Sequence, residues 1–122
     1  MLYRTTNFRM EEFLCKHCGE GAMIVKFALL DALQRLRDRV LLPMNVSCGY
    51  RCHIHNGDVG GAPDSAHIAG EAADIWDLDG KLKLFCTPQI LELCGLWAED
   101  YATTTDWIHL QIRPASSRIF KP

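Results

Sequence analysis

Apolar residues in the first third of the chain recur at steps of three, a spacing typical of one face of an α-helix. These positions are Ile24, Phe27, Leu30, Leu33 and Leu36. The pattern predicts an amphipathic helix from Met23 to Val40, with Pro43 preventing its continuation. The arginines near its C-terminal end are expected to face water.

Short strands are predicted in three later segments. Residues 44–48 form the first, "EAADIWDL" the second and "DWIHLQIR" the third. Apolar and polar residues alternate most clearly in the third strand, so its two faces differ in character. One face carries Ile108, Leu110 and Ile112, and the other carries Trp107, His109 and Gln111.

Between these strands the sequence predicts a long loop and a second helix. Residues 52–65 are rich in Gly, Asn, Asp and His, and a loop of this length in a compact domain is more often functional than idle. Thr87 and Pro88 begin the helix, which Gly95 ends. This mixture predicts one α+β domain over residues 1–122, with helices packed on an antiparallel sheet.

Composition narrows the class of protein. The 122 residues are 48% apolar and 23% charged, and the net charge of −2 gives no electrostatic reason to expect nucleic acid or a membrane as a partner. No apolar run is long enough to span a bilayer. The segment "MLYRTTNFRMEEFLC" lacks the apolar core of a signal peptide, so we expect cytoplasmic synthesis. A monomer is the default for so small a domain.

Three side chains of the metal-ligand type lie in or beside the predicted strands. His67 follows the long loop, Asp74 lies in the second strand and His109 in the third. Two imidazoles and one carboxylate suit Zn²⁺ and leave a fourth position for water, which is the mark of a catalytic ion. Asp106 could transfer protons, and Arg51 could stabilise an oxyanion or bind a substrate carboxylate.

Each of these residues also has an ordinary structural interpretation. His67 alone is typical of a loop histidine, Asp106 of the start of a strand and Arg51 of a surface charge. His109 would look the same as a hydrogen-bonded core histidine. Asp74 is harder to explain in this way, because a carboxylate between apolar residues needs a partner to offset its desolvation. The residue types alone therefore leave several hypotheses open.

Six cysteines raise the question of a second metal site. Without a signal peptide they are expected to be reduced. Cys15 and Cys18 form a C-x2-C pair, and Cys48 and Cys52 form a C-x3-C pair. The four thiolates could hold a structural zinc ion in a zinc-ribbon-like interaction domain, or the cysteines could be small buried apolar side chains. The "HIH" at 53–55 could recruit a metal or consist of exposed loop histidines.

Several motifs together resemble one family. "SAHIAGEAADI" resembles the S-x-H-x-x-G-x-A-x-D signature of the zinc D-alanyl-D-alanine carboxypeptidases, and "DWIH" is similar to that family's second motif. "SCGYR" resembles its strand-end S-G-Y-R segment, here with Cys48 inserted. "NGDVGGAPDS" and "FRMEEFLCKHCG" resemble the short, phage- and prophage-borne branch. The resemblance extends from about Phe8 to Arg113.

The resemblance implies a fold and a set of site residues. The fold is LAS-type, like that of hedgehog domains and D-Ala-D-Ala peptidases. Zinc is the implied cofactor, with His67, Asp74 and His109 as its ligands. Asp106 is implied as the general base and acid, where many members have Glu. Arg51 is implied as the residue that stabilises the transition state or the substrate.

The implied activity is hydrolysis of peptide bonds in peptidoglycan stem peptides, of either the D-Ala-D-Ala or the L-Ala-D-Glu type. Ser65 matches a motif position that supports the site, and an outward Trp107 could line the substrate pocket. Action on the cell wall is expected after release by lysis or helper-mediated export. The alternative is a non-catalytic module that holds zinc for stability or binds cell-wall peptides without cutting them.

Overall fold

The computed structural model describes residues 2–122, which form four α-helices and five β-strands. The helices are α1 (Phe27–Val40), α2 (His53–Asp58), α3 (Lys81–Phe85) and α4 (Pro88–Cys94). The strands are β1 (Val46–Cys48), β2 (Ala72–Trp76), β3 (Trp97–Glu99), β4 (Trp107–Gln111) and β5 (Ile119–Phe120). Within residues 2–122, none of the helices has the length and apolar character needed to cross a membrane.

The strands form one mixed sheet in the order β1-β2-β4-β3-β5. Three neighbouring pairs are antiparallel, but β3 and β5 run parallel. The prediction of an α+β domain is confirmed, and the prediction of a wholly antiparallel sheet is wrong at this one edge. The reason is that the chain reaches β5 through a connection after β4, which returns it to the far side of β3.

The hydrophobic core lies between one face of the sheet and the longer helices. Strand β4 contributes Ile108 and Leu110, both fully buried. Helix α1 packs against α4, and the Arg35 guanidinium donates a 2.9 Å hydrogen bond to the Cys94 carbonyl at the end of α4. The buried stripe of α1 consists of Leu29, Leu30, Ala32, Leu33 and Leu36. The opposite face of the sheet is left for polar side chains.

Helix α1 begins at Phe27, four residues later than predicted. The preceding residues instead form a turn in which the Ile24 N–H donates to the Gly21 carbonyl (2.9 Å). The Lys26 N–H donates to the Gly70 carbonyl (2.9 Å), so this segment supports another loop and cannot continue the helix. At the other end, Leu41 adopts a left-handed conformation (φ 54°) and terminates α1.

The sequence did not predict the two short helices α2 and α3, whereas it predicted α4 correctly. Helix α2 lies inside the predicted loop at 52–65, and its N-cap is a cysteine, Cys52, whose sulfur accepts from the His55 N–H. Helix α3 begins where the Asp77 carboxylate accepts from backbone N–H groups five and six residues later. A cysteine at the N-cap and an aspartate four residues before the first helical residue are not among the usual sequence signals. In α4, Thr87 caps the N-terminus as expected.

Candidate metal centre and cavity

The sheet register aligns polar side chains across its exposed face. Cys48 on β1 pairs with Asp74 on β2, and Asp74 pairs with His109 on β4. The β3–β4 register pairs Ala98 with Leu110 and, continued by one residue, places Glu99 beside His109. Residues directly opposite in a sheet point to the same face. Asp74, His109 and Glu99 therefore form a row across three strands.

Two imidazoles converge on one carboxylate oxygen. His67 Nε2 lies 3.3 Å from Asp74 Oδ1, and His109 Nδ1 lies 3.0 Å from the same atom. His67 is 2% exposed and His109 is 9% exposed, so neither is an ordinary surface histidine. The three residues that the sequence predicts as zinc ligands therefore lie together, brought from two strands and a loop.

The other ring nitrogen of each imidazole bonds to an acceptor that sets the tautomer. His67 Nδ1 lies 2.8 Å from the Gly49 carbonyl, which can only accept, so Nδ1 carries the proton. His109 Nε2 lies 2.7 Å from Gln111 Oε1, and the Gln111 amide is oriented by donating to the Arg113 carbonyl (2.8 Å). The nitrogens that face Asp74 are thus free to bind a metal ion.

The electrostatics of the cluster favour an ionised carboxylate. Burial would raise the pKa of Asp74, but hydrogen bonds and charge from His109 and His67 hold it well below its usual range. Burial would lower the pKa of His109, but the hydrogen bond and charge of Asp74 raise it, with smaller contributions from Gln111 and Glu99. Asp74 is therefore anionic at neutral pH, as a metal ligand must be.

The two separations from Asp74 Oδ1 fit ligands of a tetrahedral zinc ion. Ligand atoms about 2.0–2.1 Å from Zn²⁺ lie about 3.3 Å from one another at tetrahedral angles, which matches the 3.3 and 3.0 Å separations from Asp74 Oδ1. Cys48 is a competing ligand, because its sulfur lies within 4.8 Å of ligand atoms of His67 and Asp74. Burial raises the pKa of Cys48 to about 11, however. The Cys48 sulfur also lies 4.0 Å from His67 Nδ1, the protonated nitrogen, whereas Nε2 faces Asp74, and this geometry favours His109 as the third ligand.

A tight turn positions His67 over the sheet. Ser65 Oγ accepts a hydrogen bond from the His67 N–H (3.2 Å) and another from Arg51 Nη2 (3.2 Å). Ser65 therefore supports both a candidate ligand and a candidate substrate-binding residue. Gly70 ends the turn at φ 71°, and a Cβ there would lie 2.3 Å from the Ile24 carbonyl oxygen. Only glycine allows this close approach to the segment before α1.

A cavity of about 480 Å³ opens above the three predicted ligands. Arg51 lines it, and its buried Nε has no hydrogen-bond partner among residues 2–122. An unpaired buried donor is costly unless a ligand satisfies it. Trp107 also lines the cavity, as predicted for a substrate-contacting aromatic. The remaining lining residues include Glu99, Gln111 and Phe120, together with the loop at 60–62.

The unpredicted helix α2 supports the loop at 60–62, which lines this cavity. Asn56 on α2 is buried, and its side-chain amide donates to the Ala62 carbonyl (2.8 Å). Its backbone carbonyl accepts from the Gly61 N–H (2.8 Å). A Cβ on Gly61 would lie 2.2 Å from the Asn56 side chain. The glycines of the "VGGA" segment thus let the loop fold closely over α2 beside Arg51.

Asp106, the predicted general base, lies apart from this group. It precedes β4, its side chain is exposed, and it is not among the residues that line the cavity. Three extended residues separate its Cα from that of His109 by about 10 Å. Glu99, by contrast, is half-buried, lines the cavity and contributes to the raised pKa of His109. Sequence reasoning missed Glu99 because no motif joins it to the histidines.

The structure divides the four cysteines that could have formed a four-thiolate site. Cys15, Cys18 and Cys52 have their sulfur atoms within 4.8 Å of one another, whereas Cys48 belongs to the group with His67 and Asp74. Burial would raise the pKa of the Cys15 thiol, but hydrogen bonds from backbone N–H groups, that of Cys52 foremost, and from His55 lower it to about 5. Cys15, Cys18 and Cys52 therefore form a cluster separate from the predicted ligands in the cavity.

An α+β domain with a His-Asp-His cluster beneath a cavity has the features of a small metallohydrolase. Comparison with protein families agrees: a family model described as Peptidase M15 matches residues 6–111. The chain therefore belongs to the peptidase M15 family, whose members are zinc-dependent peptidases. The family suggested by the motifs is confirmed at this level. A search among curated proteins gave no match to the chain.

Proposed function

We propose that the protein is a zinc-dependent peptidase that hydrolyses peptide bonds in peptidoglycan stem peptides. Membership of the peptidase M15 family supports the peptidase activity. The substrate class rests on the resemblance of "SAHIAGEAADI" and "SCGYR" to the D-alanyl-D-alanine carboxypeptidases. The observation that carries the proposal is the convergence of His67 Nε2 and His109 Nδ1 on Asp74 beneath a cavity that also exposes an arginine.

The predicted ligands supply a suitable centre for zinc. We propose that His67 Nε2, Asp74 Oδ1 and His109 Nδ1 hold the ion, which when bound polarises a carbonyl group and lowers the pKa of water. Gly49 and Gln111 hold the two imidazoles in the tautomers that this binding requires. Contacts from the rest of the chain thus hold both imidazoles in place.

Arg51 is proposed to bind the substrate. Ser65 holds one end of its guanidinium, and the unpaired Nε leaves a donor for a substrate oxygen. A guanidinium at this place could stabilise the carbonyl oxygen as negative charge develops on it, or could bind a C-terminal carboxylate. Trp107 is proposed to contact the peptide from the cavity wall.

A carboxylate is needed to accept a proton from the attacking water and to deliver it to the leaving amine. Asp106 is the residue that the resemblance implies for this role, and it stays a prediction. The position of Glu99 in the row beside His109 supports Glu99 as a second candidate. We favour Glu99, because a general base must lie within hydrogen-bond reach of the proton that it abstracts.

The alternative function is a module that binds cell-wall peptides without cutting them. It would need the zinc ligands and Arg51 but no proton-transferring carboxylate. A carboxylate in the cavity beside His109 therefore favours catalysis.

We further propose that the enzyme is monomeric, is synthesised in the cytoplasm and reaches the cell wall after lysis or helper-mediated export. This proposal is in keeping with the short phage-like branch that its motifs resemble.

Digestion of purified peptidoglycan, followed by mass analysis of the products, tests the proposal. We expect new stem-peptide fragments that disappear with a chelator and return with added zinc. Loss of a single D-Ala would indicate a carboxypeptidase, and separated stem peptides would indicate an endopeptidase. The His109→Gln variant is the matched negative control. Binding of stem peptides without any new product would favour the non-catalytic module.

A further inference from the structure

A second cluster of metal-type side chains lies outside the cavity. The sulfur atoms of Cys15, Cys18 and Cys52 lie within 4.8 Å of one another, and the structure contains them as free thiols. Two imidazoles flank them: His55 Nδ1 lies 3.6 Å from Cys15 Sγ, and His17 Nδ1 lies 3.6 Å from Cys52 Sγ. Three sulfurs and an imidazole nitrogen are the donor set of a Cys3His zinc site.

The separation between His55 Nδ1 and Cys15 Sγ suits two ligands of one tetrahedral ion. With Zn–S near 2.3 Å and Zn–N about 2.0–2.1 Å, a sulfur and a nitrogen ligand lie about 3.6 Å apart. His55 and Cys15 have this separation. The sequence spacing agrees, since Cys15-x2-Cys18 is followed by Cys52-x2-His55, two pairs of the kind that bind structural zinc.

The backbone around the cluster is arranged to stabilise thiolates. The Cys52 N–H points to Cys15 Sγ (3.4 Å), and the His55 N–H points to Cys52 Sγ (3.4 Å). Such N–H groups stabilise negative sulfur and orient it for a metal ion. The second interaction is also the N-cap of α2, which explains why a cysteine occupies that position.

We propose that Cys15, Cys18, Cys52 and His55 bind a structural zinc ion, separate from the metal centre in the cavity. Four protein ligands fill the tetrahedral shell and leave no position for a reactive water, so this ion has a structural role. His55 is preferred to His17 because it is half-buried on α2, whereas His17 is exposed. A disulfide is the alternative explanation for the cluster, but it would join only two of the three sulfurs and would not account for the third.

The consequence of this ion would be to fix the segment that carries Arg51. Cys52 follows Arg51 directly, and the Tyr50 N–H donates to the Phe13 carbonyl (2.8 Å). A Cβ on Gly49 would lie 2.5 Å from Phe13 backbone atoms, so the two segments already run in close contact. Zinc would therefore clamp the N-terminal segment to the strand end that supplies Arg51 and the carbonyl that orients His67.

Metal analysis of the full chain, purified under reducing conditions with zinc, tests this inference separately from the proposed function. We expect two zinc ions per chain in the wild type and one in both Cys18→Ser and Cys52→Ser. The His67→Ala variant should also retain one. With cobalt in place of zinc, His67→Ala should still show thiolate-to-cobalt charge-transfer absorption, and Cys18→Ser should lose it. Unchanged zinc content in both cysteine variants would overturn the inference.

Matched variants show whether a loss of zinc is due to unfolding, and they identify the fourth ligand. Cys18 is exposed, so its replacement by serine should leave the circular dichroism spectrum unchanged. Cys94→Ala removes a buried thiol outside both clusters and should keep two zinc ions. His55→Ala should weaken cobalt binding at the thiolate site, and His17→Ala should not. Retention of full affinity in His55→Ala would refute the assignment of His55.

Discussion

The chemistry of the cavity depends on which nitrogen of each histidine carries a proton. Gly49 uses a backbone carbonyl to fix His67, which no substitution can remove. His109 depends on a side chain, Gln111, whose amide is in turn oriented by the Arg113 carbonyl. The two histidines are therefore controlled in different ways, and only the control of His109 can be changed by substitution.

Replacing Gln111 with leucine should weaken zinc binding without removing a ligand. The acceptor for His109 Nε2 is lost, so the ring loses its orientation and its preferred tautomer. Loss of such a supporting hydrogen bond typically costs about 10–100-fold in metal affinity. Competition with a chromophoric chelator measures the change. Gln89→Leu, on the exposed surface of α4, is the control and should match the wild type.

The two candidate carboxylates can be separated by paired substitutions. If Glu99 is the general base, Glu99→Gln should lower kcat by about 10²–10⁴-fold while zinc content stays the same. Asp106→Asn, at an exposed position away from the cavity, should then retain most of the activity. Turnover of muropeptides with parallel metal analysis checks both. The reverse result would restore Asp106 to the role that the family resemblance implies.

At the scale of the elements, the sequence predicted those helices and strands whose signals lie within the element itself. The alternation in "DWIHLQIR" predicted β4 and its two faces, and Thr87, Pro88 and Gly95 predicted α4. The pairing of β3 beside β4 is set by tertiary packing, and it is what places Glu99 beside His109. For this reason Glu99 could not be found from spacing along the chain, whereas the two histidines and Asp74 could.

The turn that carries His67 should be sensitive to the loss of Gly70. Alanine there would meet both an unfavourable positive φ and a backbone oxygen at 2.3 Å. We expect Gly70→Ala to lower the free energy of unfolding by about 2–4 kcal/mol. Gly80→Ala has nearly the same φ (72°) but nothing within 4 Å, so it should cost only about 1 kcal/mol. Chemical denaturation measures both, and equal losses would show that the close contact is unimportant.

For the whole molecule, the metal centre links stability to pH. In the metal-free chain the raised pKa of His109 gives stability below its ordinary value of 6.5, which is lost as the pH rises through the raised pKa. The lowered pKa of Asp74 gives stability above its ordinary value of 3.8, which is lost as the pH falls. Both contributions are present together only between these two values. With zinc present, stability instead rises with pH in the range where His109 loses its proton, because zinc binds the unprotonated imidazole.

The stabilisation by zinc should therefore grow with pH. Excess zinc at about 100 times its Kd adds about 2.7 kcal/mol, or about 10 °C in Tm for a chain of this size. Each pH unit below the pKa of His109 removes about 1.4 kcal/mol of that gain, because a proton must leave before the metal binds. Thermal unfolding with and without zinc at about pH 6 and about pH 8 measures the difference. The Cys18→Ser background isolates the cavity, and adding His109→Gln to it should abolish the effect. An equal zinc-induced shift at both pH values would contradict the assignment of His109 as a ligand.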